Sequence, residues 1–290
     1  MKKILVIGKG GQLASLIEKT VKSEKFSNAL SAQFVGLDEM DITSELSVTD
    51  FMHDKNFDYI INCAAYTAVD KAEEETDIAY AVNAEGSKIV AEYCKISNTK
   101  LLHVSTDYVF DGTACSPYSE ADNTNPLSVY GASKLKGEKF IVDILAEDAL
   151  VVRTSWLYSE LENNFLNTMI NLGKTKDEIN VVFDQIGTPT YAKDLADTLL
   201  SVAMAEDFHS GIFHYSNEGV ASWYDFACAI MKLSELDCKV NPVTSDCFPT
   251  TAKRPSFSVL NKTKIKSAYS LDIPHWRESL EVAISARRGV

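Results

Sequence analysis

The first half of the chain alternates short apolar runs with longer segments in which apolar and polar residues are mixed. Short apolar runs are typical of buried strands, and the mixed segments are typical of amphipathic helices. The predicted strands cover residues 4–7, 33–37, 59–62, 100–105 and 150–154. The predicted helices cover residues 13–23, 48–55, 72–97 and 129–147. Because the two kinds of element alternate, we expect an α/β fold with a Rossmann-type, doubly wound parallel sheet.

The second half of the chain is less regular. Its pattern predicts helices over residues 164–173, 191–205 and 223–233, the last capped by Ser222, and a strand over residues 211–215. Residues 240–255 are rich in Pro, Thr and Ser, which predicts a loop. We therefore expect an NAD(P)-binding Rossmann domain and a smaller mixed α/β substrate-binding part. The first covers residues 1–155 with returning segments near 181–215, and the second covers residues 156–180 and 216–290.

Composition and charge narrow the class of protein. The 290 residues are 46% hydrophobic, which is enough for a sizeable core. No apolar run reaches the ~20 residues that a membrane span needs, and the six cysteines form no CxxC pair. We expect a cytoplasmic protein with reduced thiols. The net charge of −13 argues against nucleic-acid and membrane partners, and an anionic substrate would need local cations.

A glycine-rich turn follows the first predicted strand. Gly8, Gly11 and Ala14 form a GxxGxxA pattern that opens the first predicted helix. Such glycines let the backbone approach a pyrophosphate, and the helix N-terminus presents free N–H groups to it. Asp38 ends the second predicted strand, where a carboxylate can accept hydrogen bonds from ribose hydroxyls and would repel a 2′-phosphate. The cofactor is therefore NADH or NADPH, with a slight preference for NADH.

Three residues form a candidate catalytic group. Tyr130 and Lys134 lie four residues apart on a predicted helix, so they share one face. An ammonium group near a phenol lowers the phenol pKa, and such a tyrosine can protonate a carbonyl oxygen while hydride reaches the carbon. Thr106 lies at the end of the fourth predicted strand, where ligands bind in such sheets. Its hydroxyl could polarise the same carbonyl.

These features occur within longer stretches that resemble the dTDP-4-dehydrorhamnose reductases, which are extended short-chain dehydrogenases. The resemblance covers nearly the whole chain, and AAYTAVDKAE and DQIGTPT are its most specific motifs. The matching stretches are GKGGQLA (8–14), NCAAYTAVDKAE (62–73), STDYVFDG (105–112), NPLSVYGASKLKGE (125–138), RTSWLY (153–158), NNF (163–165), DQIGTPT (184–190) and KRPSFSVL (253–260).

The resemblance implies reduction of the C4 keto group of dTDP-4-dehydro-L-rhamnose to give dTDP-L-rhamnose. The implied catalytic residues are Thr106, Tyr130 and Lys134. The implied cofactor contacts, besides Gly8, Tyr130 and Lys134, are Gly11, Gln12 and Leu13 at the phosphates, Asp38, Asp41 and Ile42 at the adenosine end, and Ala65, Tyr66 and Thr67 further along. The implied substrate contacts are Thr106, Asp107 and Trp156.

An anionic substrate needs a positively charged residue in its binding site. Arg254, in the late KRP stretch, is our candidate for binding the substrate pyrophosphate, since a guanidinium can bind phosphate oxygens in a bidentate way.

Some bacterial members dimerise through Mg²⁺ held by glutamates, one of them in the first helix. The matching position here is Leu16, which cannot ligate Mg²⁺. We expect no metal site, and a homodimer stays open.

Three other interpretations remain as alternatives. A dehydratase of the same superfamily would have Thr-Asp-Glu at the end of the fourth strand, whereas Asp107 is followed here by Tyr108. Another nucleotide-sugar reductase or epimerase is a related possibility. A different class is an NAD(P)-binding regulatory subunit like the β subunit of methionine adenosyltransferase. The intact Thr106, Tyr130 and Lys134 favour an enzyme.

Overall fold

A six-stranded, all-parallel sheet forms the centre of the computed structural model, which describes residues 1–161 and 164–288. Asn163 of the NNF stretch lies outside the described residues. The strand order is β2-β1-β3-β4-β5-β10. These strands are β1 (Lys2–Ile7), β2 (Leu30–Val35), β3 (Tyr59–Asn62), β4 (Lys100–Thr106), β5 (Ala149–Thr154) and β10 (Gly211–His214). The order reverses between β1 and β3, and ligands bind at such reversal points in doubly wound sheets.

The remaining strands form three two-stranded pairs outside the central sheet. β6 (Leu157–Tyr158) pairs with β9 (Thr190–Tyr191), and β8 (Ile186–Gly187) pairs with β11 (Ala221–Ser222). β7 (Glu178–Val182) runs parallel to β12 (Lys239–Val243). All six of these strands follow β5 along the chain, in its second half.

Helices cover both faces of the central sheet. The helices of the first half are α1 (Gln12–Thr20), α2 (Glu45–Met52), α3 (Val69–Ala72), α4 (Thr76–Tyr80), a π-helix (Ala81–Gly86), α5 (Ser87–Ser97) and α6 (Val129–Leu145). Those of the second half are α7 (Phe165–Gly173), α8 (Ala192–Met204), α9 (Trp223–Leu233), α10 (Thr263–Tyr269) and α11 (Trp276–Arg288). Within the described residues, no helix is long and apolar enough to cross a bilayer.

Side-chain alternation along the strands divides the core into two layers. Ile4 and Val6 of β1 pack on one face, in the cluster that contains residues of α1, α8 and α9. Leu5 and Ile7 pack on the other face, with residues of α2, α5 and α6. Successive side chains of a strand point to opposite faces of the sheet, so each face packs against its own layer of helices, as the predicted α/β architecture requires.

The predicted elements agree with the observed ones except in three places, while α10, α11 and the short strands β6–β9 and β11 were not predicted. β2 ends at Val35, so Asp38 lies three residues beyond the strand instead of at its end. The predicted helix 72–97 is interrupted at residues 73–75, between α3 and α4, and it then continues from Thr76 to Ser97 with the π-helix between α4 and α5. The predicted loop 240–255 is wrong over its first residues, because β12 gains a parallel partner in β7. The predicted Ser222 cap is confirmed, since Ser222 and Asp225 form a capping box on α9.

The π-helix packs closely against α6. A Cβ atom on Gly137 of α6 would lie 2.2 Å from the backbone oxygen of Asn83 in the π-helix. The buried Asn83 side chain also donates to the Ser133 hydroxyl of α6 at 3.0 Å. The π-helix therefore meets α6 backbone to backbone, at the part of the helix that follows Lys134.

We predict that Gly137→Ala destabilises the protein by about 1–3 kcal/mol or more, since the new methyl group would overlap a backbone atom that can move only with its helix. The free energy of unfolding in denaturant measures this. The matched control is Gly36→Ala, whose Cβ would meet its nearest neighbours at an ordinary 3.6 Å. The control should stay within about 1 kcal/mol of the parent chain. Equal stability of Gly137→Ala and the control would contradict the packing argument.

Candidate active site

A cavity of about 630 Å³ opens at the carboxyl ends of the central strands. It lies at the reversal point of the sheet, where residues following β1 and β3 meet residues at the ends of β4 and β5. Most of the residues predicted from the sequence line it. They are Gly8, Gly11, Gln12, Leu13, Ala65, Thr67, Thr106, Asp107, Tyr130, Lys134, Trp156 and Arg254.

The glycine loop forms one wall of this cavity. Gly8 has a φ of +103°, and a Cβ there would lie 3.0 Å from the backbone nitrogen of Ala64, so the position requires glycine. Gly11 is the N-cap of α1, and no side chain of the described residues caps that helix end. The first N–H groups of α1 are thus available to an anionic ligand, which the helix dipole also favours.

The buried side chain of Asn83 connects the stretch 65–67 to α6, the helix that carries Tyr130 and Lys134. The Asn83 carboxamide accepts a hydrogen bond from the Tyr66 N–H at 2.8 Å and donates to the Tyr66 carbonyl at 3.1 Å. Ala65 and Thr67 line the cavity, while the Tyr66 hydroxyl turns away to Glu75. Asn83 has no motif that marks it in the sequence, because its partners are backbone groups distant along the chain.

The three residues predicted at the adenosine end lie outside the cavity. Asp38 is exposed in the turn after β2. The Asp41 carboxylate accepts hydrogen bonds from the N–H and hydroxyl of Thr43 at 2.9 and 2.8 Å. Ile42 is buried against Gly86, so only its backbone could meet a ligand. These residues lie beyond the end of β2, where a dinucleotide reaching past the glycine loop would place its adenosine.

Tyr130, Thr106 and Asp107 meet at the end of β4. The Thr106 hydroxyl donates to Asp107 Oδ1 at 3.1 Å and accepts from the Tyr108 N–H at 3.2 Å. Burial raises the pKa of the Tyr130 phenol, and a hydrogen bond with the Thr106 side chain opposes that rise. Burial also raises the pKa of Asp107 to about 6. The expected lowering of the Tyr130 pKa by Lys134 is therefore wrong for this arrangement, in which desolvation dominates.

Two residues of β4 hold the ammonium group of Lys134 in place. Its ammonium donates to the Val104 carbonyl at 2.7 Å and lies 3.2 Å from His103 Nε2. Burial lowers the pKa of Lys134 to about 8, although the Glu138 carboxylate opposes the shift. The buried His103 has a pKa well below its usual value, so a neutral imidazole can accept from the lysine. His103 was not predicted, since a single histidine on an apolar strand carries no sequence signal.

The N-terminus of α6 is fixed by two caps. The Ser128 side chain accepts from the Gly131 N–H at 3.2 Å. The Glu73 carboxylate, from the AVDKAE stretch, accepts from the Val129 N–H at 2.8 Å. A carboxylate at a helix N-terminus is favoured by the helix dipole, so Glu73 stabilises the turn that carries Tyr130.

Aromatic side chains form another wall of the cavity. Trp156 has a φ of +48°, an uncommon backbone for a bulky residue, and its ring stacks on Trp223 with centroids 3.7 Å apart. A Cβ on Gly187 would lie 2.7 Å from the Trp156 ring, so the glycine of DQIGTPT makes room for it. Phe165 packs on Trp223 at 4.6 Å. Trp223 and Phe165 line the cavity and were not predicted.

Arg254 reaches the cavity from the segment that follows β12. Its Nη2 donates to Asp70 Oδ2 at 2.9 Å. Burial raises the pKa of Tyr108 to about 12, and Arg254 opposes that shift. The Nε of Arg254 is buried without an acceptor among the described residues. A buried donor without a partner is costly.

In α1, the position that matches a Mg²⁺-binding glutamate of some family members is apolar. Leu16 is buried in the core between α1 and the sheet, with 1% of its surface exposed. The expectation that no metal binds there stays a prediction.

Comparison with known proteins identifies relatives along the full chain. Residues 1–288 match the family model described as the RmlD substrate binding domain. The chain is 40% identical to a dTDP-4-dehydrorhamnose reductase of Aggregatibacter actinomycetemcomitans, over 97% of this chain and 98% of that protein.

Two solved structures are similar across the whole fold. One is a dTDP-4-dehydrorhamnose reductase of Clostridium acetobutylicum, with 43% identity, 99% of each chain covered and a TM-score of 0.92. The other is a dTDP-4-dehydrorhamnose reductase of Bacillus anthracis in complex with NADP. It has 36% identity and a TM-score of 0.91, with 98% of this chain and 99% of that chain covered. These similarities confirm the resemblance and the α/β fold expected from the sequence.

Proposed function

The chain belongs to the family of the RmlD substrate binding domain, and we propose that it is an NAD(P)H-dependent reductase of a dTDP-bound 4-keto sugar. The proposed reaction converts dTDP-4-dehydro-L-rhamnose to dTDP-L-rhamnose. The observation that carries the proposal is the meeting of Thr106, Tyr130 and Lys134 with the glycine loop in one cavity. The direct test is oxidation of NADH or NADPH in the presence of dTDP-4-dehydrorhamnose.

The residues present fit a nicotinamide dinucleotide. The N-terminus of α1 and the backbone at Gly8 and Gly11 suit its pyrophosphate, because the loop leaves no room for side chains there. The residues that would hold it are Gly8, Gly11, Gln12, Leu13, Asp38, Asp41, Ile42, Ala65, Tyr66, Thr67, Tyr130 and Lys134. When bound, the reduced nicotinamide supplies a hydride.

Tyr130 is the proposed proton donor to the oxygen of the reduced carbonyl. Its raised pKa keeps the phenol protonated at neutral pH, so a proton is available where the oxygen gains negative charge. Thr106, hydrogen-bonded on one side to Asp107, would orient the carbonyl oxygen toward the phenol. Lys134, anchored on the Val104 carbonyl, would hold the nicotinamide ribose and favour the phenolate after transfer.

The substrate side of the site draws on both parts of the chain. Trp156, with Asp107 and Thr106, would contact the sugar, and Arg254 would bind the pyrophosphate of the nucleotide. Trp156 and Arg254 fall in the proposed substrate-binding part, residues 156–180 and 216–290, whereas Thr106 and Asp107 fall in the proposed cofactor-binding part, residues 1–155 with returning segments near 181–215. β10 lies beside β5 in the central sheet, which supports the return of the chain to the first part. The cytoplasmic location and a homodimer stay predictions.

The first prediction tests the proton donor. Tyr130→Phe keeps the ring and loses only the hydroxyl, so turnover should fall about 10²–10⁴-fold while cofactor affinity is retained. Steady-state kinetics and fluorescence titration of the reduced cofactor measure the two effects. The control is Tyr93→Phe on α5, outside the residues that line the cavity, which should keep the parent rate. Near-parent turnover by Tyr130→Phe would rule out the role.

The second prediction concerns cofactor choice. If Asp38 binds the ribose hydroxyls, the chain should use NADH at least as well as NADPH, because the carboxylate repels a 2′-phosphate. Asp38→Ala should then move the preference toward NADPH. The ratio of kcat/KM values for the two cofactors measures this. A parent enzyme with strong preference for NADPH would show that the assignment is wrong.

The third prediction concerns the substrate anion. Arg254→Ala should raise KM for the nucleotide sugar about ten- to a hundred-fold, as expected for loss of hydrogen bonds to a charged group. KM for the cofactor should not change, because its pyrophosphate lies at α1. The control is Lys253→Ala, which removes the neighbouring exposed cation. The assignment fails if both ligands weaken equally or if neither does.

A further inference from the structure

Helix α3 contributes no residue to the proposed chemistry, although it lies in AVDKAE, one of the most specific motifs of the chain. Its Asp70 carboxylate is half exposed and faces the segment that follows β12. Oδ2 accepts from Arg254 Nη2 at 2.9 Å, and Oδ1 accepts from the backbone N–H of Ala252 at 3.1 Å. One carboxylate therefore holds both the guanidinium and the backbone two residues before it.

The same segment is held on its other side by the stretch that follows β4. A Cβ on Gly112 would lie 2.7 Å from the Pro255 side chain, and the Ser256 hydroxyl donates to the Gly112 carbonyl at 3.1 Å. Arg254 thus lies between two anchor points, one on α3 and one at Gly112. Of the two, only Asp70 contacts the guanidinium itself.

The contacts of Arg254 leave donors available to a ligand. A guanidinium carries five N–H groups in a rigid plane. Asp70 takes one from Nη2, while Nε has no acceptor among the described residues. Because the plane is rigid, fixing one edge of it directs the remaining donors.

We propose that Asp70 is a positioning residue that sets affinity for the nucleotide sugar by holding Arg254 and the backbone at Ala252. This inference rests on the proposed pyrophosphate-binding role of Arg254. Asp70 acts through Arg254, has no contact with the reacting groups, and leaves the proton transfer unaffected. Although Asp70 is itself acidic, it favours the binding of an anionic ligand because it orients Arg254.

The test is Asp70→Asn, which keeps an oxygen acceptor for the Ala252 N–H and removes the charge that pairs with Arg254. KM for the nucleotide sugar should rise about two- to five-fold, the range expected for a partly exposed ion pair. The kcat value and KM for the cofactor should not change. The matched control is Asp77→Asn on α4, an exposed carboxylate of the same kind that forms no ion pair within the described chain.

A double-mutant cycle separates positioning from a general structural effect. In the Arg254→Ala background, Asp70→Asn should leave KM for the sugar unchanged, because its only route of action has been removed. Additive effects of the two substitutions would overturn the proposal. So would a lower KM for Asp70→Asn, which would make Asp70 a competitor of the ligand, or a parallel loss of kcat and cofactor affinity.

Binding of dTDP by calorimetry in the presence of NADPH keeps this test independent of turnover. The dissociation constant of dTDP should rise with Asp70→Asn by the same factor as KM, and should not respond to Asp77→Asn. If the parent chain binds dTDP in this way but does not reduce the keto sugar, the proposed reaction fails and the positioning role stands. If the parent chain reduces the sugar and Asp70→Asn leaves both values unchanged, the positioning role fails alone.

Discussion

A buried ion pair between α6 and the sheet fixes the position of the catalytic residues. Glu138 lies one turn beyond Lys134 on α6 and receives hydrogen bonds from Arg153 of β5, at 3.0 and 3.1 Å from Nε and 2.7 Å from Nη2. The Ser105 hydroxyl of β4 donates to the same carboxylate. Both side chains are almost fully buried. Such a pair adds little net stability, since desolvation offsets attraction, but only one register of helix and strands satisfies it.

The packing of α6 against its other neighbours depends on that register. Gly131 faces the Tyr108 carbonyl and Gly137 faces the Asn83 carbonyl, and a Cβ at either glycine would come within 2.2 Å of the oxygen. A shift of α6 by one residue would place side chains at both contacts. The helix is therefore positioned by backbone contact on two sides and by Glu138 on the third. The backbone positions of Tyr130 and Lys134 therefore follow from contacts made by other residues of α6.

The sequence was sufficient for the parts of the molecule that depend on local pattern. The alternation of β1 and β3–β5, the glycine loop, and the spacing of Tyr130 and Lys134 are properties of short segments, and the structure has them as predicted. The failures concern partners distant along the chain. β12 is a strand because β7 lies beside it, and the predicted helix 72–97 is π-helical where it meets α6. His103, Asn83 and Trp223 have roles that appear only when the chain is folded.

The protonation state of Lys134 explains why the ion pair between Glu138 and Arg153 is useful although it adds little stability. Burial lowers the pKa of Lys134 from 10.5 to about 8, so the charged lysine disfavours the folded state at every pH below about 8. That penalty declines only as the pH rises from about 8 toward 10.5, where the unfolded chain still holds its proton and the folded chain does not. Glu138 opposes the shift and keeps the lysine closer to its charged form. An apolar pair at Glu138 and Arg153 would pack at least as well, yet it would remove the negative charge that supports Lys134. The carboxylate therefore sets the register of the helix and sustains the charge of its catalytic lysine, and an apolar replacement could do neither.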